Sequence, residues 1–206
     1  VLEALGGVVM LHKEEVEKVF KETGLVFMYA PFFHPAMKHV MPTRRTMGIR
    51  TFFNILGPLL NPAGVKRQMV GAYSKPVARQ IAHILANLDT DFAYTVNAHD
   101  GLDEVSLGAQ SEIFEVNRQM VKEATTFDPR SLDFDWTDLD ELQGRDAEYN
   151  ANILRSIMAN KATDAQRDVV LLNATFGIHA SGKVDHLAEA KVLAEDSLRS
   201  GKAEKA

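Results

Sequence analysis

The stretch "RQMVGAYSKPVARQIAHILANLDTDFAYTVNAHDG", residues 67–101, decides the fold. It opens with a short apolar run (67–74), passes Ser74 and Pro76, and continues with Val77, Ile81, Leu85 and Leu88 at helical spacing. A second apolar run (91–101) follows and ends at Gly101. Ser before a helix and Pro in its first turn are start signals, and apolar residues three and four apart line one helix face. The stretch therefore reads as strand, helix, strand. Two strands joined through a helix lie parallel in one sheet, with a right-handed crossover.

The neighbouring segments extend this reading. Residues 12–24, "HKEEVEKVFKETG", form an amphipathic helix with Val16, Val19 and Phe20 on one face and Gly24 as its stop. "LVFMYAP" (25–31) is a continuous apolar run of strand length, the pattern of a strand buried on both faces. Residues 34–60 are helical in pieces, broken at Pro42, Gly48 and Gly57-Pro58, and "FFNILGPLLNPAG" (52–64) makes a rigid apolar bend. Residues 111–127 alternate without an intervening helix, which predicts a hairpin or meander at one side of the sheet. An acidic surface connection (127–144) leads to three helices at about 147–160, 166–181 and 186–200. Within the second, "RDVVLLNATFGIHASG" is apolar nearly all round and should be buried. The expected fold class is α/β, with a largely parallel central sheet flanked by helices.

Composition narrows the function. A chain of 206 residues supplies one sizeable domain or one and a half small ones. The net charge of −5 argues mildly against a nucleic-acid footprint. The chain has no cysteine, which excludes disulfides and thiolate zinc sites and fits a reducing, cytoplasmic location. No apolar run approaches the roughly 20 residues of a membrane span, and no signal peptide is visible. "VLEALGG" (1–7) reads as the end of a helix already under way, and "SLRSGKAEKA" (197–206) stops inside a helical pattern. Both ends read as those of a segment of a longer protein.

Chemistry is expected at the C-terminal edge of the strands, where open parallel sheets bind ligands. Three segments reach that edge in this reading: "APFFHP" (30–35), "YSKP" (73–76) and "NAHDGLDE" (97–104). The last places Asp103 beside Glu104. A carboxylate pair without cysteine or paired histidines suits a hard divalent cation, Mg²⁺ above all. A solvated acidic loop is the plainer alternative, and spacing alone does not separate the two. "MKHVMPTRRTMGIR" (37–50) gathers Lys38, His39, Arg44, Arg45 and Arg50. An arginine fork there suits a carboxylate or phosphate, against the plainer reading of a solvated helix face. His34, His39, His99 and His179 lack metal-ligand spacing. There is no GxSxG elbow, Walker loop or GxGxxG turn. Catalysis, if present, rests on positioning and charge stabilisation rather than covalent attack.

"HPAMKHVMPTRRTMGIRTFFNILGPLLNPAG" (34–64), with "GLDEVS" (101–106) downstream, resembles the anthranilate phosphoribosyltransferases of tryptophan biosynthesis. "VLEALGG" and "RDVVLLNA" (167–174) resemble them too, so the likeness covers essentially the whole chain. The resemblance implies attack of the anthranilate amino group on C1 of phosphoribosyl pyrophosphate, with release of pyrophosphate. It implies that Asp103 and Glu104 bind Mg²⁺, that Arg44 binds the anthranilate carboxylate, and that Ala30, Pro31 and Met37 line the channel for the aromatic substrate. It further implies that 1–206 is most of the large α/β domain, that part of 34–60 crosses to a smaller helical domain, and that the full-length protein is a homodimer. The family's glycine-rich diphosphate loop and "KHGNRS" stretch have no counterpart in these residues, so residues 1–206 alone are expected to be inactive. A nucleoside phosphorylase leaves the carboxylate pair without a role. A non-catalytic nucleic-acid-binding relative on the same fold is disfavoured by the net charge and by the intact Asp103, Glu104 and Arg44. A half-protein completed by a partner chain is a further alternative.

Overall fold

A computed structural model describes residues 1–34, 57 and 59–205. Its centre is a five-stranded mixed sheet. Strand β1 (Arg67–Gly71) runs parallel to β2 (Phe92–Ala98), and β3 (Ser111–Asn117) lies antiparallel to β2. Two short strands, β4 (Met120–Val121) and β5 (Thr125–Phe127), pair with β3, both antiparallel. The expected largely parallel sheet is corrected: β1–β2 is the one parallel pair among the described strands. Of the expected hairpin or meander, the structure shows the hairpin: β4 and β5 pair with β3 in succession as one interrupted return strand.

The correction has two physical causes. The run 25–31 is not a strand. Leu25 and Phe27 are exposed, and Ala30–Phe33 instead forms a short helix, α2, with Pro31 in its first turn. The chain also leaves β2 without a helix and turns straight back into β3, which only antiparallel neighbours allow. Preceding α2, helix α1 (Lys13–Thr23) matches the expected amphipathic helix. His12 and Glu15 close its first turn as a capping box, and Gly24 ends it in the left-handed conformation, φ 76°.

Both faces of the sheet are covered. Helix α3 (Lys75–Ala86) packs Ala78, Ile81, Ala82 and Leu85 against Val70, Ala72, Ala93, Phe114 and Val116. The expected apolar stripe stops at Ala86, and Leu88 lies beyond the helix, exposed. On the opposite face lie α4 (Ala147–Met158), α5 (Asp164–Ala180) and α6 (Leu187–Arg199), ahead of the short α7 (Lys202–Lys205). There Phe92, Tyr94, Val96 and Ile113 meet Leu171, Leu172, Phe176 and Leu198. Residues of β2 alternate between the two cores, so all seven are buried. The connection 127–144 carries two 3₁₀ turns, and it is not wholly a surface feature, because Pro129 and Phe134 are buried.

Helix α5 joins the layers. Thr163 caps it and Gln166 returns the capping-box bond. Near its C-terminus His179 Nε2 faces the Asp185 carbonyl at 3.1 Å, while Nδ1 meets the Tyr94 hydroxyl at 2.9 Å. The carbonyl can only accept, so Nε2 carries the proton and Tyr94 donates to Nδ1. Burial, with the charge of Glu115, pushes the Tyr94 hydroxyl far above its ordinary range and keeps it a donor. Phe176 stands edge-on to Tyr94 and Phe127, with centroids 5.3 Å and 5.0 Å away. Phe176→Ala is expected to cost about 3–5 kcal/mol by emptying this fully packed position, a loss that urea unfolding would measure.

Candidate active site

The site is built on the connection between β2 and β3. At its start Ala98 N–H donates to Leu102 O at 2.9 Å and His99 N–H donates to Gln110 O at 2.8 Å, so the ends of the loop are tied. Gly101 takes φ +95°, which a residue with a side chain rarely adopts. Asp100 organises the interior: one carboxylate oxygen accepts the Leu102 N–H at 3.2 Å and the other accepts the Ser106 hydroxyl in a short bond. The Ser106 oxygen accepts Gly108 N–H at 2.9 Å, and Ser106 N–H donates to Ser111 Oγ at 3.1 Å. Val105, Ser106 and Leu107 are buried beneath this network.

Asp103 and Glu104 lie on the outer side of that loop, and both are exposed. Among the described residues neither carboxylate forms a hydrogen bond or an ion pair. Adjacent carboxylates without partners among the described residues are oxygen donors of the type a hard cation takes. Among the described residues no three His, Cys, Asp or Glu side chains cluster as a larger cage. Mg²⁺ is commonly held by one or two carboxylates plus water and substrate phosphate, and the pair is of that donor type.

The backbone on either side of the pair is held by contacts the sequence did not announce. A Cβ on Gly71, the last residue of β1, would lie 1.6 Å from the Asp103 carbonyl oxygen. Only glycine permits this approach, and a glycine closing an apolar strand is its one sequence signal. On the other side Asn173 of α5 embraces Val105. Its Oδ1 accepts Val105 N–H at 3.0 Å, and its Nδ2 donates to Val105 O at 2.9 Å and to Val169 O at 3.0 Å. A lone amide inside "VVLLNATF" was the available hint, since a polar group in an apolar helix needs a partner.

The remaining expected site residues divide. Ala30 lines a cavity of about 320 Å³ together with Gln68, Met69 and Val70 of β1, and its neighbour Pro31 is exposed. They sit on α2 rather than at the end of a strand, so two of the three expected segments, 73–76 and 97–104, reach the strand edge. Met37 and Arg44 lie outside the described residues, as do Lys38, His39, Arg45 and Arg50. The turn expected at 61–64 is present: Ala63 N–H donates to Asn61 Oδ1 at 3.0 Å and Gly64 N–H to Asn61 O at 3.0 Å.

Beside the loop, on the α3 face, Glu112 is buried at 5% exposure. Its Oε1 meets Lys75 Nζ at 3.0 Å, His99 Nε2 at 3.1 Å and Thr126 Oγ1 at 3.2 Å. Burial pushes this carboxyl up, but the bonds from Lys75 and His99, the lysine charge and Thr126 together hold it below its ordinary value of 4.5. A carboxyl depressed in this way adds stability above its unfolded pKa, and that stability is lost as pH falls through the lower folded value. Lys75→Met is therefore expected to cost about 1–2 kcal/mol at neutral pH, and the difference from wild type should shrink once the pH drops below the ordinary carboxyl range. Urea titrations at the two pH values would measure both numbers. Gly71→Ala is expected to destabilise the fold by about 1–3 kcal/mol and to displace Asp103, visible as amide shifts confined to 71–73 and 98–108.

Comparison with known proteins follows this geometry. The family model described as "Glycosyl transferase family, a/b domain" matches residues 1–204, and the chain belongs to that family. The anthranilate phosphoribosyltransferase of Salinibacter ruber is 46% identical over 206 residues, spanning 98% of this chain and 60% of that protein. The enzyme of the same name from Aquifex aeolicus is 40% identical over 202 residues, with 98% and 59% covered. Among solved structures, anthranilate phosphoribosyltransferase from Thermus thermophilus superposes with a TM-score of 0.90 at 35% identity, over 98% of this chain and 60% of that one. The Saccharomyces cerevisiae enzyme in complex with PRPP and Mg gives 0.88 at 27% identity, over 99% and 57%. The chain thus spans about 60% of the length of the relatives it matches.

Proposed function

We propose that this chain carries the α/β part of an anthranilate phosphoribosyltransferase. The observation that carries the reading is the pinned loop at the strand edge, which presents Asp103 and Glu104 outward as a carboxylate pair with no partner among the described residues. The relatives named anthranilate phosphoribosyltransferase, and the yeast enzyme solved with PRPP and Mg, support the substrate and the metal. A relative from the same yeast is solved with 4-fluoroanthranilate, which supports an aromatic amine acceptor.

In this reading the anthranilate nitrogen forms a bond to C1 of phosphoribosyl pyrophosphate, the C1–oxygen bond to pyrophosphate breaks, and the nitrogen sheds a proton. Asp103 and Glu104 hold Mg²⁺, which supplies positive charge to the departing diphosphate. Arg44 pairs with the anthranilate carboxylate, and Ala30, Pro31 and Met37 border the path of its ring. The protein's contribution is to fix two anionic substrates against one another, so that binding rather than covalent chemistry lowers the barrier. Residues 1–206 supply most of the large domain, part of 34–60 is assigned to a smaller helical domain, and the whole protein is a cytoplasmic homodimer.

The test follows the loss of anthranilate fluorescence with phosphoribosyl pyrophosphate and Mg²⁺, using the complete reading frame that contains these residues. Glu104→Ala is expected to lower kcat/KM by about 100-fold or more, through loss of charge stabilisation. Arg44→Ala is expected to act mainly on the KM for anthranilate. Absence of turnover in the wild type would reduce the likeness to one of fold, and unimpaired variants would remove these residues from the site.

A further inference from the structure

We infer that Asn173 is a positioning residue for metal binding, holding the Asp103–Glu104 loop in its ligand-presenting shape from a helix that itself contributes no ligand. The inference rests on the proposed role of the carboxylate pair and adds to it a residue in α5, 68 positions from the backbone it clamps.

Two adjacent carboxylates without a partner repel each other, and an exposed loop bearing them relaxes so as to separate them. Here the loop is denied that freedom on both sides. Asp103 is pressed against Gly71, where there is no room for even a Cβ. Glu104 is followed at once by Val105, whose N–H and C=O are both taken by one Asn173 side chain, at 3.0 and 2.9 Å. Using both polar groups of a residue as a pair resembles a strand pairing, except that a single amide provides it. The bond from Asn173 to Val169 O at 3.0 Å fixes the amide's own rotamer, so Nδ2 faces carbonyls and Oδ1 faces the N–H. Val105 is fully buried and α5 contributes Leu171, Leu172 and Phe176 to the same core, so the clamp ties the loop to the packed interior. A supporting group of this kind sets how closely the ligands approach their geometry before the metal arrives, and its loss typically weakens metal affinity by about 10–100-fold.

The experiment titrates Mn²⁺ in the presence of pyrophosphate, read by the electron paramagnetic resonance of free Mn²⁺, for wild type, Asn173→Ala, Asn173→Asp and Leu172→Ala. Leu172 is the fully buried neighbour on the same helix, and its truncation damages the core it shares with Val105 and Leu107 while leaving the three Asn173 bonds in place. Asn173→Asp keeps the shape and the acceptor while losing the donor to Val105 O and Val169 O, so it serves if the alanine variant does not fold. The expected result is a 10–100-fold weaker Mn²⁺ complex in the Asn173 variants, wild-type affinity in Leu172→Ala, and faster amide exchange confined to 100–108 in the Asn173 variants. Unchanged affinity in the Asn173 variants, or equal weakening in Leu172→Ala, overturns the inference alone. Wild-type protein that binds no Mn²⁺ removes the metal reading, and this inference falls with it.

Discussion

The reversal of the chain between β2 and β3 is the constraint on which the rest of the structure depends. A chain leaving a buried central strand must either cross over through a helix or turn back at once, and here it turns back. Turning back at the edge of a sheet leaves backbone donors and acceptors without ladder partners, and buried groups of that kind must find others. Asp100, Ser106, Ser111 and Asn173 provide them, each side chain taking up loop N–H or C=O groups. Once Val105, Ser106 and Leu107 are driven inward, Asp103 and Glu104 are left facing outward, so the exposure of the pair follows from how the loop is satisfied.

The sheet and the loop at its edge handle charge in opposite ways. Glu112 and Glu104 are the same residue type, eight positions apart in sequence. Glu112 projects beside α3, is buried, and holds Lys75, His99 and Thr126 on a single oxygen. A buried carboxylate without those partners would lose its hydration uncompensated, so its surroundings are complete within the chain. Glu104 is exposed and has no partner among the described residues, which costs a carboxylate little in water. That difference makes Glu104 available to an incoming cation and withholds Glu112 from one.

Much of this was readable from the sequence, and the misreadings have specific causes. The strand–helix–strand of 67–98, the hairpin after it and the three late helices follow from apolar periodicity with Ser74, Pro76 and Gly101 as punctuation. The carboxylate pair was legible because it follows an apolar run and lies at a glycine turn. The segment 25–31 misled because an unbroken apolar run reads the same whether it is a buried strand or an exposed lead-in to a short helix. Leu25 and Phe27 settle that only through their surroundings. The mixed sheet was hidden because the direction of β3 depends on the path of the loop, and periodicity carries no direction. Gly71 and Asn173 were missed because each acts on a backbone far away in sequence, and neither residue type has a local pattern that points there.

Seen this way, the work of α5 is divided by residue rather than by segment. Leu172 and Phe176 bury apolar surface, Thr175 returns its hydroxyl to the Leu171 carbonyl, and Asn173, between them, spends its amide on a loop from another part of the chain. A leucine at 173 would suit the helix and improve its apolar pattern, but it would leave both backbone groups of Val105 without partners beneath a fully buried side chain. The cost of two unsatisfied groups, about 1–3 kcal/mol each, exceeds the gain from burying one more aliphatic chain. The polar residue is therefore favoured on stability alone, before the proposed role in metal binding is counted. The same bonds that complete the loop's backbone hold the residue next to Glu104, so the core and the candidate site of this chain meet at this position.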